Sequence, residues 1–315
     1  MSDQPADTPE IPPSAAPYQV RRASRSRFVP VRGLRYHLLE WGDPSLVTPE
    51  RPPLVMVHGW MDVGASFQFA IDALATERYI VALDWRGFGL TESPPVDSYW
   101  FPDYLGDLDV LLEALLPGQP IDLVGHSMGG NVSMLYAGLR PQRIRRLVNL
   151  EGFGSAPSDP EQAHKPYLQW LDELHQPQLL RSYTSLAAVA GRLRQNNPLL
   201  RADRADWLAA HWSQQRDDGR WHILGDPAHK RRNPQAYRKD ETVAIWRRIA
   251  APLLWVEGDR TDQFRRWGGR YTREDFEQRL AVVAQRRQHT LSPAGHMLHH
   301  DQPEALAALL EDFLG

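Results

Sequence analysis

Cysteine is absent from all 315 residues, which excludes disulfides, cysteine-ligated zinc, iron–sulfur clusters and a thiol nucleophile together. Any nucleophile is then an oxygen or a nitrogen. No run approaches the roughly 18 consecutive apolar residues that a membrane-spanning helix needs. A positive surplus is missing too: 36 Lys and Arg stand against 39 Asp and Glu, for a net charge of −3. That balance leaves no electrostatic footprint for nucleic acid. The basic pairs Arg145-Arg146, Arg231-Arg232, Arg247-Arg248 and Arg286-Arg287 are scattered and read as solvated helix faces. There is no internal repeat. Low complexity is confined to residues 1–17, which are rich in Pro, Ala and Ser and lack the basic and apolar blocks of a secretory leader. This stretch is expected to be a disordered tail, and the cytoplasm is the expected compartment.

With 42% hydrophobic residues, a chain this long can bury about three quarters of its unfolded surface and needs no staples. From Val31 onward, strand-like and helix-like segments alternate. Leu34–Trp41 reads as a strand stopped by Gly42-Asp43-Pro44, and Pro53–Val57 and Tyr79–Leu83 are short apolar runs suited to buried parallel strands. Helices are expected over Ser66–Ala75, Tyr104–Leu116 and Met128–Leu139, and further strands at Ile121–Val124, Ile144–Leu150, Pro252–Val256 and Gln288–Leu291. This alternation predicts an α/β fold with a doubly wound, mostly parallel sheet. The rhythm breaks between Phe153 and Ile249, a polar, strand-poor stretch holding Trp170, Trp207, Trp212, Trp221 and Trp246. It reads as a helical cap over residues 153–249, inserted into a core made of residues 18–152 and 250–315. Its aromatics are expected to serve packing more than ligand contact.

The strongest local signal is Val124-Gly125-His126-Ser127-Met128-Gly129-Gly130, a G-x-S-x-G between a strand and a helix. A serine there sits on a sharp, strained turn with its hydroxyl clear of the sheet. The flanking glycines let neighbouring backbone pack closely, and the helix beginning at Met128 aims free N–H groups and the positive end of its dipole at the reacting centre.

With Val57-His58-Gly59-Trp60 after one strand, Asp84-Trp85-Arg86-Gly87-Phe88-Gly89-Leu90-Thr91 after the next and Ala294-Gly295-His296-Met297 near the C-terminus, the chain resembles an α/β-hydrolase-fold serine hydrolase of the capped, esterase-like branch. The resemblance runs from Val31 to Leu314. It implies Ser127 as nucleophile and His296 as its base, in the chain order that the fold's triads follow. For the third member the family usually places an acid in the loop after the strand Pro252–Val256, about three residues beyond a glycine. Here that third position is Thr261, in Glu257-Gly258-Asp259-Arg260-Thr261-Asp262. Asp262 is the first choice. Glu151, at the end of Leu147–Leu150, and Asp259 remain alternatives. The backbone N–H groups of Trp60 and Met128 are the implied oxyanion donors, and His58 and His126 are implied to be supporting residues.

The cluster His296, His299, His300 and Asp301 invites a metal reading, but it lacks the intervening glutamate of the H-E-x-x-H motif, and no metal site is assigned. The implied chemistry is acyl transfer without a cofactor, acting on a small-molecule ester, thioester, lactone or vinylogous ketone. A non-catalytic ligand receptor and a perhydrolase or acyltransferase on the same fold are the alternatives.

Overall fold

The computed structural model describes residues 16–315, so the first 15 residues of the expected tail lie outside the described residues. The strands, in chain order, are β1 (Arg25–Val31), β2 (Leu34–Trp41), β3 (Leu54–Val57), β4 (Ile80–Leu83), β5 (Ile121–His126), β6 (Ile144–Leu150), β7 (Ser182–Tyr183), β8 (Ser213–Gln215), β9 (Trp221–Ile223), β10 (Leu253–Gly258) and β11 (Arg286–Leu291). Eight of them form one sheet in the order β1-β2-β4-β3-β5-β6-β10-β11. From β4 to β11 all pairings are parallel, while β2 runs antiparallel to both β1 and β4.

The apolar runs divide by alternation, as a sheet covered on both faces requires. Val55, Val57, Val81, Leu83, Leu123, Leu147 and Trp255 face the helices Phe101–Leu115 and Met128–Leu139. Leu54, Met56, Ile80, Val124, Val148 and Val256 face the helices Gln68–Ala73 and Pro303–Leu314. In the last helix Leu306, Leu310 and Phe313 recur at helical spacing and are buried against that face. Burial of each is worth roughly 1.5–3 kcal/mol. Pro303 opens this helix at a position where its missing N–H costs nothing.

Residues 153–249 hold the helices His164–Leu174, Leu186–Asn196, Ala202–Trp212 and Lys239–Trp246. They also contain a three-stranded sheet in the order β7-β9-β8, which strand-poor reading of the sequence misses. Two- and three-residue strands are too short to show a period. The helices Leu186–Asn196 and Ala202–Trp212 share an apolar centre with Tyr183 and with Phe69 of the sheet domain. Trp246 joins the core of the main sheet, and the helix carrying it lies so close to Met128–Leu139 that a Cβ on Gly138 would sit 2.2 Å from the Ile245 carbonyl oxygen.

His229 ties the insertion to the sheet domain. Its ring stacks between Phe88 and Tyr99, at centroid distances of 3.7 and 3.5 Å. Its Nε2 lies 3.1 Å from the Arg86 carbonyl and its Nδ1 3.3 Å from the Tyr104 hydroxyl. Both contacts suit a neutral ring that donates from Nε2. Burial pushes its pKa down to about 3. The unfolded chain, with an ordinary histidine pKa of roughly 6.5, therefore binds one more proton than the folded chain across the interval between the two values, and stability is lost as pH falls through it. Replacing His229 by Gln should flatten the slope of unfolding free energy between about pH 5.5 and 4 by about 1.4 kcal/mol per pH unit. Urea titrations at several pH values measure that slope, and an unchanged slope would show that this ring does not carry the effect.

Candidate active site

The parallel strands deliver their C-terminal ends to one edge, where loops from different strands meet, as ligand sites in open α/β sheets do. Ser127 follows the last residue of β5 and precedes the helix Met128–Leu139, with φ 51° and ψ −112°. Glu151 follows β6 with φ 59°, and Met61, in the loop after β3, has φ 56°. These are three of the four non-glycine residues with positive φ among the described residues. Strain of this kind persists where surrounding structure over-determines it, commonly at functional sites.

Close packing fixes the turn. A Cβ on Gly125 would lie 2.4 Å from the Gly129 carbonyl oxygen, and one on Gly129 would lie 2.3 Å from that of Val57. The loop after β3 closes on the same point, since a Cβ on Gly59 would be 3.1 Å from the Ser127 Cβ.

His296 stands between two partners. Its Nε2 is 2.9 Å from the Ser127 Oγ, and its Nδ1 is 2.9 Å from the Glu151 Oε2. Asp262, the first choice from sequence, is not there. It pairs with Arg266 at 2.9 Å and Arg265 at 3.4 Å, with its side chain 31% exposed. Asp259 accepts from the Ser292 hydroxyl at 2.7 Å and the Ala294 N–H at 2.9 Å, joining the loop after β10 to the loop that carries His296.

The physical reason is register. His126 of β5 pairs with Leu150 of β6, and the Ser127 N–H donates to the Leu150 carbonyl at 2.8 Å. The residues that follow the two strands, Ser127 and Glu151, are therefore neighbours. Asp262 lies beyond a turn closed by the Thr261 N–H on the Gly258 carbonyl, which carries it outward. Glu151 is 1% exposed and is saturated with donors: besides His296 it accepts from the Gly258 N–H and the Thr261 hydroxyl, both at 2.7 Å. Thr261, at the family's usual acid position, thus supports the carboxylate instead of supplying it.

The remaining motif residues hold backbone. His58 accepts the Trp85 N–H on Nε2 at 2.9 Å and donates from Nδ1 to the Gly59 carbonyl at 2.7 Å; burial holds its pKa below the ordinary value. His126 donates from Nε2 to the carbonyl of His296 at 2.8 Å, and burial lowers its pKa strongly. Asp84 accepts from Gly64 and Leu90 N–H groups and from the His37 ring, which braces the loop after β4.

The four residues that invite a metal reading in the sequence, His296, His299, His300 and Asp301, are not brought together around one point. Asp301 takes the Gly295 N–H at 2.8 Å and the Asn197 amide at 2.7 Å, while His296 faces Ser127. His299 and His300 instead lie with Asp62, which sequence reading passed over, in a buried group whose ligand-type atoms fall within 4.8 Å of one another. Asp62 Oδ1 is occupied by the Val63 N–H, the Ser66 hydroxyl and the Trp212 indole N–H. Nearby histidines hold its carboxyl well below the usual carboxylate range, against the opposing effect of burial.

A profile of the alpha/beta hydrolase fold matches residues 52–303. The chain belongs to the alpha/beta hydrolase family. Among curated relatives, a serine hydrolase-like protein of Danio rerio is 31% identical over 141 residues, covering 44% of this chain and 41% of that protein. A serine hydrolase-like protein of Dictyostelium discoideum is 23% identical over 272 residues, covering 83% of this chain and 74% of that protein. The first match therefore spans less than half of its relative. Among solved structures, a thioesterase domain from the curacin biosynthetic pathway superposes with a TM-score of 0.76 at 27% identity, covering 92% of this chain and 99% of that one.

A cavity of about 490 Å³ lies at His296, walled by Trp60, Met61, Trp212 and Met297 and by the helices of the insertion. A second recess, of about 530 Å³, is lined by Arg86 and residues 95–100 and 103 and touches neither Ser127 nor His296. No helix of the described residues is long and apolar enough to cross a membrane.

Proposed function

We propose that this chain is a serine hydrolase acting on a carboxylic ester or a related acyl substrate through an acyl-enzyme. The observation that carries this reading is the unbroken line Glu151–His296–Ser127, with both hydrogen bonds at 2.9 Å. Glu151 holds the imidazole with its proton on Nδ1, leaving Nε2 to take the Ser127 proton as Oγ attacks the acyl carbon. The oxygen of the tetrahedral intermediate faces the backbone N–H groups of Trp60 and Met128. Neither appears among the loop and turn hydrogen bonds, and Met128 opens a helix whose first N–H groups lack internal partners. His296 then returns the proton to the leaving group, and water releases the acyl group by the same steps. The scheme uses only side chains, backbone donors and water.

A fluorophosphonate probe tests it. Wild-type protein should be labelled at Ser127, and prior labelling should abolish release of p-nitrophenol from short esters. Absence of adduct on Ser127 would overturn the proposal.

The insertion should govern which acyl chains fit. Trp212 lines the cavity, whereas Trp207 stacks on His211 at 3.8 Å and packs edge-on against Phe69 at 5.5 Å. Trp212→Ala should therefore shift the preferred p-nitrophenyl ester, from acetate to decanoate, toward longer chains. Trp207→Ala should leave the profile in place. An identical profile for Trp212→Ala and wild type would remove the ring from the specificity wall.

A further inference from the structure

The cavity at His296 is one-sided in charge. Its charged lining consists of Arg181, Arg192, Lys230 and Arg266, and no carboxylate lines it, although acids outnumber bases in the chain by 39 to 36. Two of the four are committed elsewhere: Arg266 pairs with Asp262 at 2.9 Å, and Arg181 lies over the Tyr183 ring at 5.5 Å. Arg192 and Lys230 form no ion pair among the described residues; Lys230 donates one hydrogen bond, to the Leu179 carbonyl at 2.9 Å. Like charges gathered in one concavity repel each other and attract counter-charge, and low-dielectric walls strengthen that field. The same lining includes the apolar side chains Leu193, Leu208 and Ile223, while Arg192 and Lys230 are themselves exposed.

Resting on the acyl-transfer reading above, we propose that the substrate carries an anionic group, a carboxylate or a phosphate, held by Arg192 and Lys230 while the apolar wall takes its chain. The guanidinium can engage either anion in a bidentate fashion, and the ammonium acts as a point charge.

Matched substrate pairs test this. Mono-p-nitrophenyl adipate is compared with p-nitrophenyl hexanoate, and hexanoyl-4′-phosphopantetheine with hexanoyl-pantetheine. The anionic member of at least one pair should have the higher kcat/KM by about tenfold, since two exposed ion pairs each contribute a factor of a few. The difference should lie in KM and shrink with added salt. The pair that shows it distinguishes carboxylate from phosphate. In Arg192→Gln/Lys230→Gln, or in either single variant if the double does not fold, the ratio should fall toward one. No preference in either pair, or one that survives these substitutions, would overturn the proposal.

Binding separates this idea from the catalytic one. In Ser127→Ala, tryptophan fluorescence should report tighter binding of an anion than of its neutral partner, with monoethyl adipate set against ethyl hexanoate and 4′-phosphopantetheine against pantetheine. If that difference depends on Arg192 and Lys230 while the wild type cleaves no acyl substrate, the anion site stands and the acyl-transfer reading falls. If substrates are cleaved and bound without regard to charge, the reverse holds.

Discussion

Replacing Ser127 by Ala should lower the turnover of a p-nitrophenyl ester on the order of 10⁶-fold, with His296→Ala falling nearly as far. The double variant should be no worse than either single one. In the proposed mechanism Glu151, His296 and Ser127 act as one device: without the hydroxyl there is no acyl acceptor for the imidazole to activate, and without the imidazole the Oγ proton, 2.9 Å from Nε2, has nowhere to go. Some acceleration over water should survive in both, from the backbone donors and from binding. The fold should survive as well. Ser127 already holds φ 51°, alanine has no greater difficulty there, and the turn is clamped by Gly125 and Gly129 against neighbouring carbonyls. Burst-phase kinetics with circular dichroism as the folding control measure both statements. Turnover by Ser127→Ala within tenfold of wild type would remove the nucleophile assignment, and additive losses in the double variant would argue against a shared proton relay.

What could be read from the chain and what could not follows from the range of the interactions. The turn at Ser127 is written in adjacent residues: the short strand segment Ile121–Val124, the glycines that admit Val57 and Ser133, and the helix behind. The buried strands β3 and β4 are continuous apolar runs and are equally local. The edge strand β1 carries a weaker signal: three of its first four residues are polar or charged, Pro30 lies within it, and most of it is exposed. The acid depends on something non-local, the pairing of β6 with β5 on one side and β10 on the other. No window around residue 151 or 262 contains that register. One residue did carry a hint. Thr261, at the position where the family usually has its acid, can donate a hydrogen bond but bears no charge, which points to a carboxylate arriving from elsewhere. In the same way Asp62 joins His299 and His300 across 237 and 238 positions of sequence, so motif spacing alone could not link them.

Glu151→Gln should reduce kcat on the order of 10⁴-fold, the loss that amide replacement of the acid produces in a serine protease, while Asp262→Asn should stay close to wild type. Gln preserves the shape of a side chain that is 1% exposed, and its amide oxygen can still accept the Gly258 N–H that Oε1 now takes at 2.7 Å. Its NH₂ group then faces the His296 Nδ1, at the place where Oε2 stood at 2.9 Å. A donor there needs an acceptor, so the ring shifts its proton to Nε2, which can no longer take the proton of Ser127. The negative charge that steadied the imidazolium is gone as well. Asp262 has no such position: it is a partly exposed carboxylate paired with two arginines, and exposed pairs of this kind are worth little. A rescue sharpens the test. The Thr261 hydroxyl lies 2.7 Å from the same Oε2 that contacts His296, so Thr261→Asp in the Glu151→Gln background brings a carboxylate to that neighbourhood from the loop after β10. It should recover about ten- to a hundredfold of the lost kcat, as removal and return of one charge at one ring nitrogen would. Loss of activity in Asp262→Asn with Glu151→Gln unaffected would overturn the assignment. Failure of Thr261→Asp to recover anything, in a protein that folds normally, would mean that the orientation of Glu151 matters more than its charge.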